Sequence, residues 1–190
     1  MIVALSSSSP LVSVALFGED VLLIFSDQAE PHHNAGGTCL HLIEKGLAEL
    51  HKTPQDLSLI VADVGPGSFI GVRVGVTIAK TMAYALQIPV AGVPAFDLID
   101  PIETVVVPSK RGEYFIRRPG APVIRETSLP TSEPFSGYGE GVAESRYPEA
   151  RNAASLLGGL KRVRAEELLP EYLIEPSIST PKRAFERTER

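Results

Sequence analysis

Between Met1 and Val93 the apolar positions change period several times, and each change marks an element. Ile2–Leu5, Val12–Phe17 and Val21–Phe25 are short β-branched or apolar runs separated by Ser6-Ser7-Ser8-Ser9-Pro10 and by Gly18-Glu19-Asp20. They predict three neighbouring strands joined by tight turns. From Thr38 to His51, Leu40, Ile43, Leu47 and Leu50 return at helical spacing while Glu44, Lys45 and Glu49 supply a wet side, the pattern of an amphipathic helix. Leu57–Val64 reads as a nearly continuous apolar strand, Ile70–Leu86 as a second helix and Pro89–Val93 as a further strand. This order predicts an α/β lobe with a mixed sheet over residues 1–100.

After Pro94 the pattern weakens. Val105–Val107 and Tyr114–Ile116 predict a short strand pair, and the prolines at 119, 122, 130 and 134 predict loop or edge strand between them and a small strand near Phe135-Ser136-Gly137. A helix is expected from Pro148 to Leu160. Residues 101–178 then form a smaller, loop-rich α/β lobe, and residues 179–190 alternate charge without a core pattern, predicting a frayed tail. No repeat of solenoid length is present.

The second helix is apolar on too many sides for a solvated surface element. Between Leu57 and Phe96 only Asp63, Arg73 and Lys80 carry charge, while Gly71, Gly75, Ala79 and Ala83 recur every fourth residue as a strip of small side chains. With Val72, Val76 and Met82 around it, and Leu40, Ile43 and Leu47 on the first helix, this strip is the candidate partner interface. Packing of the two helices on each other within one chain is the competing explanation. If the strip faces a partner, a charge at Ala79 or Ala83 abolishes association and leaves the monomer folded.

The stretch Gly65-Pro66-Gly67-Ser68-Phe69-Ile70-Gly71-Val72-Arg73 joins the apolar strand to this helix. Glycine permits close backbone approach, proline stiffens the turn and Ser68 is a candidate N-cap. Gly65, Pro66, Gly67, Ser68, Gly71 and Arg73 are therefore read as structural turn residues. A phosphate would suit the free N–H groups of the helix start, but neither the dinucleotide-binding spacing nor a Gly-Lys-Ser/Thr follows.

Composition narrows the classes. A chain of 190 residues with 44% hydrophobic residues can bury a real core. Its net charge of −5 disfavours a surface that holds nucleic acid by neutralising phosphates. Arg73 and Lys80 interrupt the most apolar region, so no membrane span is expected. A single cysteine, Cys39, cannot form an internal disulfide, and Met1-Ile2-Val3-Ala4-Leu5 has no signal pattern; the expected compartment is the cytoplasm. His32, His33, His41 and His51 lack the helical pairing of a metal site, so no metal is assigned. Cys39 at a helix start receives no reaction, Ser6–Ser9 reads as a turn, and Ser68 lies outside a Gly-x-Ser-x-Gly hydrolase elbow. No catalytic residue is assigned.

The glycine turn, followed by Val74-Gly75-Val76-Thr77-Ile78-Ala79-Lys80, closely resembles the signature of the bacterial TsaB family. Further landmarks follow in order: Ser13-Val14-Ala15-Leu16, the His33 region, Arg111-Gly112-Glu113-Tyr114 and Pro170-Glu171-Tyr172-Leu173. The resemblance implies an actin/Hsp70/sugar-kinase-like fold with a ribonuclease H-like motif, two lobes with mixed sheets and a reduced second lobe. It also implies a role in making tRNA N6-threonylcarbamoyladenosine. There TsaB is a non-catalytic scaffold or dimerisation subunit that binds and activates its paralogue TsaD, the metal-bearing transferase; TsaE joins the pair, and TsaB alone forms a homodimer. Both associations use the helices corresponding to Thr38–His51 and Ile70–Leu86. No cofactor is implied for TsaB itself beyond weak nucleotide binding at the level of the complex, and tRNA is reached only through that complex.

Four departures from the family pattern stand out. Ser6 occupies the place where nucleotide-binding members of the fold carry an acid, and a neutral hydroxyl cannot replace that charge. Pro108-Ser109-Lys110-Arg111 replaces an aspartate before the arginine, Ile70 stands for the usual threonine, and the stretch from Ile116 to Phe135 is short. Two alternatives stay open: a small nucleotide-binding enzyme that uses the Gly65–Gly67 turn as a phosphate cradle, and a homodimeric interaction protein.

Overall fold

In the computed structural model, which describes residues 1–31 and 34–173, β1 (Ile2–Ser6), β2 (Val12–Phe17) and β3 (Leu23–Ala29) form the expected antiparallel meander. β3 begins later than the apolar run suggested, because Gly18 to Leu22 close a turn in which Val21 takes a φ of 66° and the Gly18 N–H donates to the Leu22 carbonyl at 2.9 Å. The strand continues through polar Ser26-Asp27-Gln28 as an exposed edge. His32, His33 and the expected tail 179–190 lie outside the described residues.

Helix α1 (Ala35–Glu49) starts three residues before Thr38 because the Asn34 side chain caps it, accepting from the Gly37 N–H at 2.9 Å. β4 (Leu59–Asp63), α2 (Phe69–Leu86) and β5 (Val90–Val93) follow as expected. Ser68 caps α2, accepting from the Gly71 N–H at 3.2 Å, and Gln87 ends it in a left-handed conformation. The five strands lie in the order β3-β2-β1-β4-β5, with β1, β4 and β5 parallel to one another.

Burial explains why these strands read as continuous apolar runs. Val3, Leu5, Val14, Leu16, Ile60 and Ala62 face α1 and α2, whereas Ile2, Ala4, Ala15, Phe17, Leu59 and Val61 point to the other side. Both faces are covered, so no polar alternation survives. By length and composition α2 could cross a membrane, but its Gly71, Val72, Gly75, Val76, Ala79 and Ala83 are buried within the chain.

A short helix that the sequence did not predict, α3 (Ala95–Ile99), leads to the second sheet, ordered β8-β7-β6-β9 from β6 (Val105–Lys110), β7 (Glu113–Arg117), β8 (Ile124–Glu126) and β9 (Ser136–Gly137). The proline-rich stretch thus contributes an edge strand, β8. The helix expected at 148–160 is instead two 3-10 segments, Ala150–Ser155 and Leu157–Gly159. The 101–178 unit drawn from sequence is also divided in packing: Ala150, Ala153 and Leu157 cover the outer face of the first sheet, and Val163 exchanges backbone hydrogen bonds with Val90 of β5 at 2.8 and 2.9 Å.

Candidate partner interface and glycine turn

The glycine turn is built by its fit to the β1–β2 loop. The Ser68 N–H donates to the Ser8 carbonyl at 2.7 Å, and the Ser7 hydroxyl donates to the Gly71 carbonyl at 2.8 Å. A Cβ at Gly67 or Gly71 would overlap the backbone carbonyl oxygens of Ser8 and Ser7, and one at Gly75 would lie 2.6 Å from Ser7 Oγ. The missing side chains let α2 start against this loop. The groups facing the Cβ positions of Gly67 and Gly71 are the backbone carbonyl oxygens of Ser8 and Ser7.

Beneath the turn lies a buried polar cluster. The Ser6 and Ser8 hydroxyls donate to one carboxylate oxygen of Asp63 at 2.6 and 2.5 Å, and the Gly65 N–H donates to the other at 2.8 Å. Burial outweighs these three bonds and holds the Asp63 carboxyl above the usual carboxylate range. Tyr138 reaches the same loop from the second lobe, its hydroxyl 3.5 Å from the Ser8 carbonyl, and burial with the nearby Asp63 pushes its phenol up. Ser6 ends β1 and buried Ser7–Ser9 begin the link to β2 where composition suggested a turn over Ser6–Ser9, whereas the partnership of Ser6 and Ser8 with Asp63 joins residues too far apart in sequence to be read from local pattern.

The candidate interface residues divide sharply. Ile43 and Leu47 of α1 and Val72, Gly75, Val76, Ala79 and Ala83 of α2 lie in the first-lobe core. The small-residue strip is therefore buried within the chain, and at Gly71 and Gly75 it allows close approach to Ser7 and, at Gly75, to Leu5 of β1. Leu40 remains 44% exposed and Met82 half-buried. The outer face of the two helices is formed by Leu40, His41 and Glu44 on α1 and by Thr77, Thr81 and Tyr84 on α2, with Tyr84 70% exposed. Val74 and Ile78 are half-buried beside it.

The turn residues Gly65, Pro66, Gly67, Ser68 and Gly71 are brought together, whereas Arg73 projects to the exterior, where its Nε donates to the Tyr172 hydroxyl at 3.0 Å. Among the described residues no group of three or more His, Cys, Asp or Glu side chains could hold a metal. Burial pushes the Cys39 thiol up to about 12, removing the thiolate a reaction would need.

A family model described as "TsaD: tRNA N6-adenosine threonylcarbamoyltransferase" matches residues 27–99. The chain is 30% identical over 122 residues to tRNA threonylcarbamoyladenosine biosynthesis protein TsaB of Bacillus subtilis, covering 60% of this chain and 52% of that one. It is 28% identical over 99 residues to the TsaB of Buchnera aphidicola, covering 52% and 46%. A tRNA N6-adenosine threonylcarbamoyltransferase of Thermus thermophilus is 48% identical over 48 residues, 25% of this chain and 15% of that one. The chain spans about half the length of the curated TsaB relatives it matches. Two Pseudomonas aeruginosa structures share the fold: an uncharacterized protein with similarity to peptidase YEAZ, with a TM-score of 0.76 at 21% identity over 91% of this chain and 99% of that one, and YeaZ, with a TM-score of 0.73 at 23% identity over 90% and 99%. The architecture is the two-sheet, actin-like one. Sequence likeness to these two TsaB proteins thus covers 60% and 52% of the chain, and likeness of fold covers about nine-tenths of it.

Proposed function

We propose that this chain works in the synthesis of N6-threonylcarbamoyladenosine in tRNA as a subunit without catalytic groups of its own, docking on TsaD and setting the conformation in which that partner's site works. The observation that carries this reading is the outer face of α1 and α2, where Leu40 and Tyr84 stand exposed on helices whose inner faces are already packed. The inward-turned serines support it, since Asp63 at the end of β4 is engaged by Ser6, Ser8 and Gly65. In this reading TsaE joins the pair, the chain self-associates when alone, and tRNA is met only through the complex. No cofactor or metal is required of this chain, nucleotide binds at most weakly once the complex has formed, and the work is done in the cytoplasm.

The test mixes the purified chain with TsaD and follows mass by light scattering. A complex that supports tRNA modification once TsaE and substrates are added, and that is lost with Leu40→Asp combined with Tyr84→Asp, is the expected result. Calorimetry with ATP and magnesium on the isolated chain supplies the counter-test, where micromolar binding with turnover would instead identify a nucleotide-dependent enzyme.

A further inference from the structure

Arg73 leaves the first turns of α2 beside the glycine turn and is held on two sides by aromatic residues. Its guanidinium carbon lies 4.4 Å from the centre of the Phe69 ring, and its Nε donates to the Tyr172 hydroxyl at 3.0 Å. The two rings are 5.5 Å apart and tilted by 36°. Tyr172 is itself fixed, because the neighbouring Glu171 N–H donates to the Val64 carbonyl at 2.8 Å and Leu173 packs against the core of the second lobe. Segments distant in sequence therefore aim one arginine.

The stack and the Nε bond leave both terminal amino groups of Arg73 without a hydrogen-bond or ion-pair partner among the described residues. Arg117, Arg118, Arg125, Arg151 and Arg164, by contrast, each meet a carboxylate. The flanks of Arg73 are apolar and open, with Phe69 48%, Ile70 73% and Tyr172 45% exposed. A small anion would satisfy the arginine and leave those side chains wet. A protein surface can cover both.

Ile70, Arg73, Thr77, Thr81 and Tyr84 follow at intervals of three or four residues and are all exposed, so they form one stripe along the outer side of α2. The Arg73 cluster is the N-terminal end of the docking face proposed above. We infer that it receives a carboxylate side chain of the TsaD partner, held bidentately by the fork of Arg73 and enclosed by Phe69, Ile70 and Tyr172. A guanidinium fixed by a ring and a hydroxyl loses little freedom on pairing, its fork matches a carboxylate, and Arg and Tyr are enriched where interfaces concentrate their energy. This inference rests on the proposed function and adds the chemistry of one contact to it.

The test titrates the full chain and its Arg73→Ala, Arg73→Lys and Tyr172→Phe variants against TsaD at low and high salt, with thermal melts run alongside. Arg73→Ala is expected to weaken association roughly thirtyfold and to flatten its salt dependence; Arg73→Lys, which keeps charge but loses the fork, weakens it roughly tenfold. Arg73→Glu should lose binding and regain it when one acidic residue of TsaD is changed to lysine. Should Arg73→Ala fail to fold, Arg73→Lys and Tyr172→Phe carry the comparison. Wild-type affinity in the Arg73 variants, or weaker binding with an unchanged salt dependence, overturns this contact and leaves the proposed function standing if Leu40→Asp with Tyr84→Asp still breaks the complex. No association by the wild-type chain overturns both.

Discussion

At Gly71 one methyl group decides whether α2 can start where it does. A Cβ there meets the backbone carbonyl of Ser7, which cannot swing aside as a long side chain could. Gly71→Ala is expected to cost about 3 kcal/mol as overpacking and to lower the melting temperature by about 6 to 12 °C. Gly158→Ala, whose Cβ would meet nothing within 4 Å, should change stability by less than about 0.5 kcal/mol. Calorimetric melts of the pair separate the site from the substitution. Asp63 supplies a test in pH. Its folded-state pKa lies above the ordinary 3.8, so the folded chain holds this proton more tightly than the unfolded one. The stability that follows is complete below the ordinary pKa and is lost as pH rises through the raised one. Asp63→Asn removes that titration and keeps an oxygen for the Gly65 N–H. Denaturant unfolding should show wild type losing ground to Asp63→Asn as pH rises from about 4 toward neutrality; a gap that does not change with pH would place the raised pKa elsewhere.

Among the elements, the return of the chain after Pro148 depends on a few polar ties. Lys80 on α2 donates to the Leu168 carbonyl at 2.9 Å and the Glu166 carbonyl at 3.3 Å, holding the 3-10 turn Ala165–Glu167 against the helix. Lys80→Met keeps most of the apolar stem and removes both bonds, so a loss of about 1 kcal/mol is expected. Hydrogen exchange should quicken at Glu167 and Leu168 while the middle of α2 stays protected. This tie was not legible in the sequence, because both acceptors are main-chain carbonyls. The meander, α1, α2, β4 and β5 were legible, since runs with two buried faces and amphipathic helices leave strong periodic marks. In the second lobe β8 is three residues long, and the 148–160 stretch takes 3-10 form, both too short to show a period. β3 began late because the turn geometry around Val21 outweighed β propensity.

For the molecule as a whole, the total apolarity of α2 was readable while its division between core and surface was not. Which neighbours cover Gly71 and Gly75 depends on where Ser7 and Leu5 lie, and that is tertiary geometry. The consequence separates two kinds of variant. Ala79→Asp buries an unpaired charge and should unfold the monomer by circular dichroism, contrary to the expectation that it would spare it. Leu40→Asp with Tyr84→Asp should keep the wild-type spectrum and the protomer's own melt, and lose only mass in light scattering. A complex that survives the surface pair would move the docking face elsewhere. The Arg73 contact was half legible: the arginine sits in the signature turn, but its second anchor, Tyr172, arrives from a remote segment. The path of residues 148–168 carries a last consequence. Cut before Pro148, the polypeptide would expose Ile2, Ala4 and Phe17, which Ala150, Ala153 and Leu157 shelter. The two sheets cannot be inherited, expressed or exchanged as separate modules, because the thread that finishes the first is spun only after the second is complete.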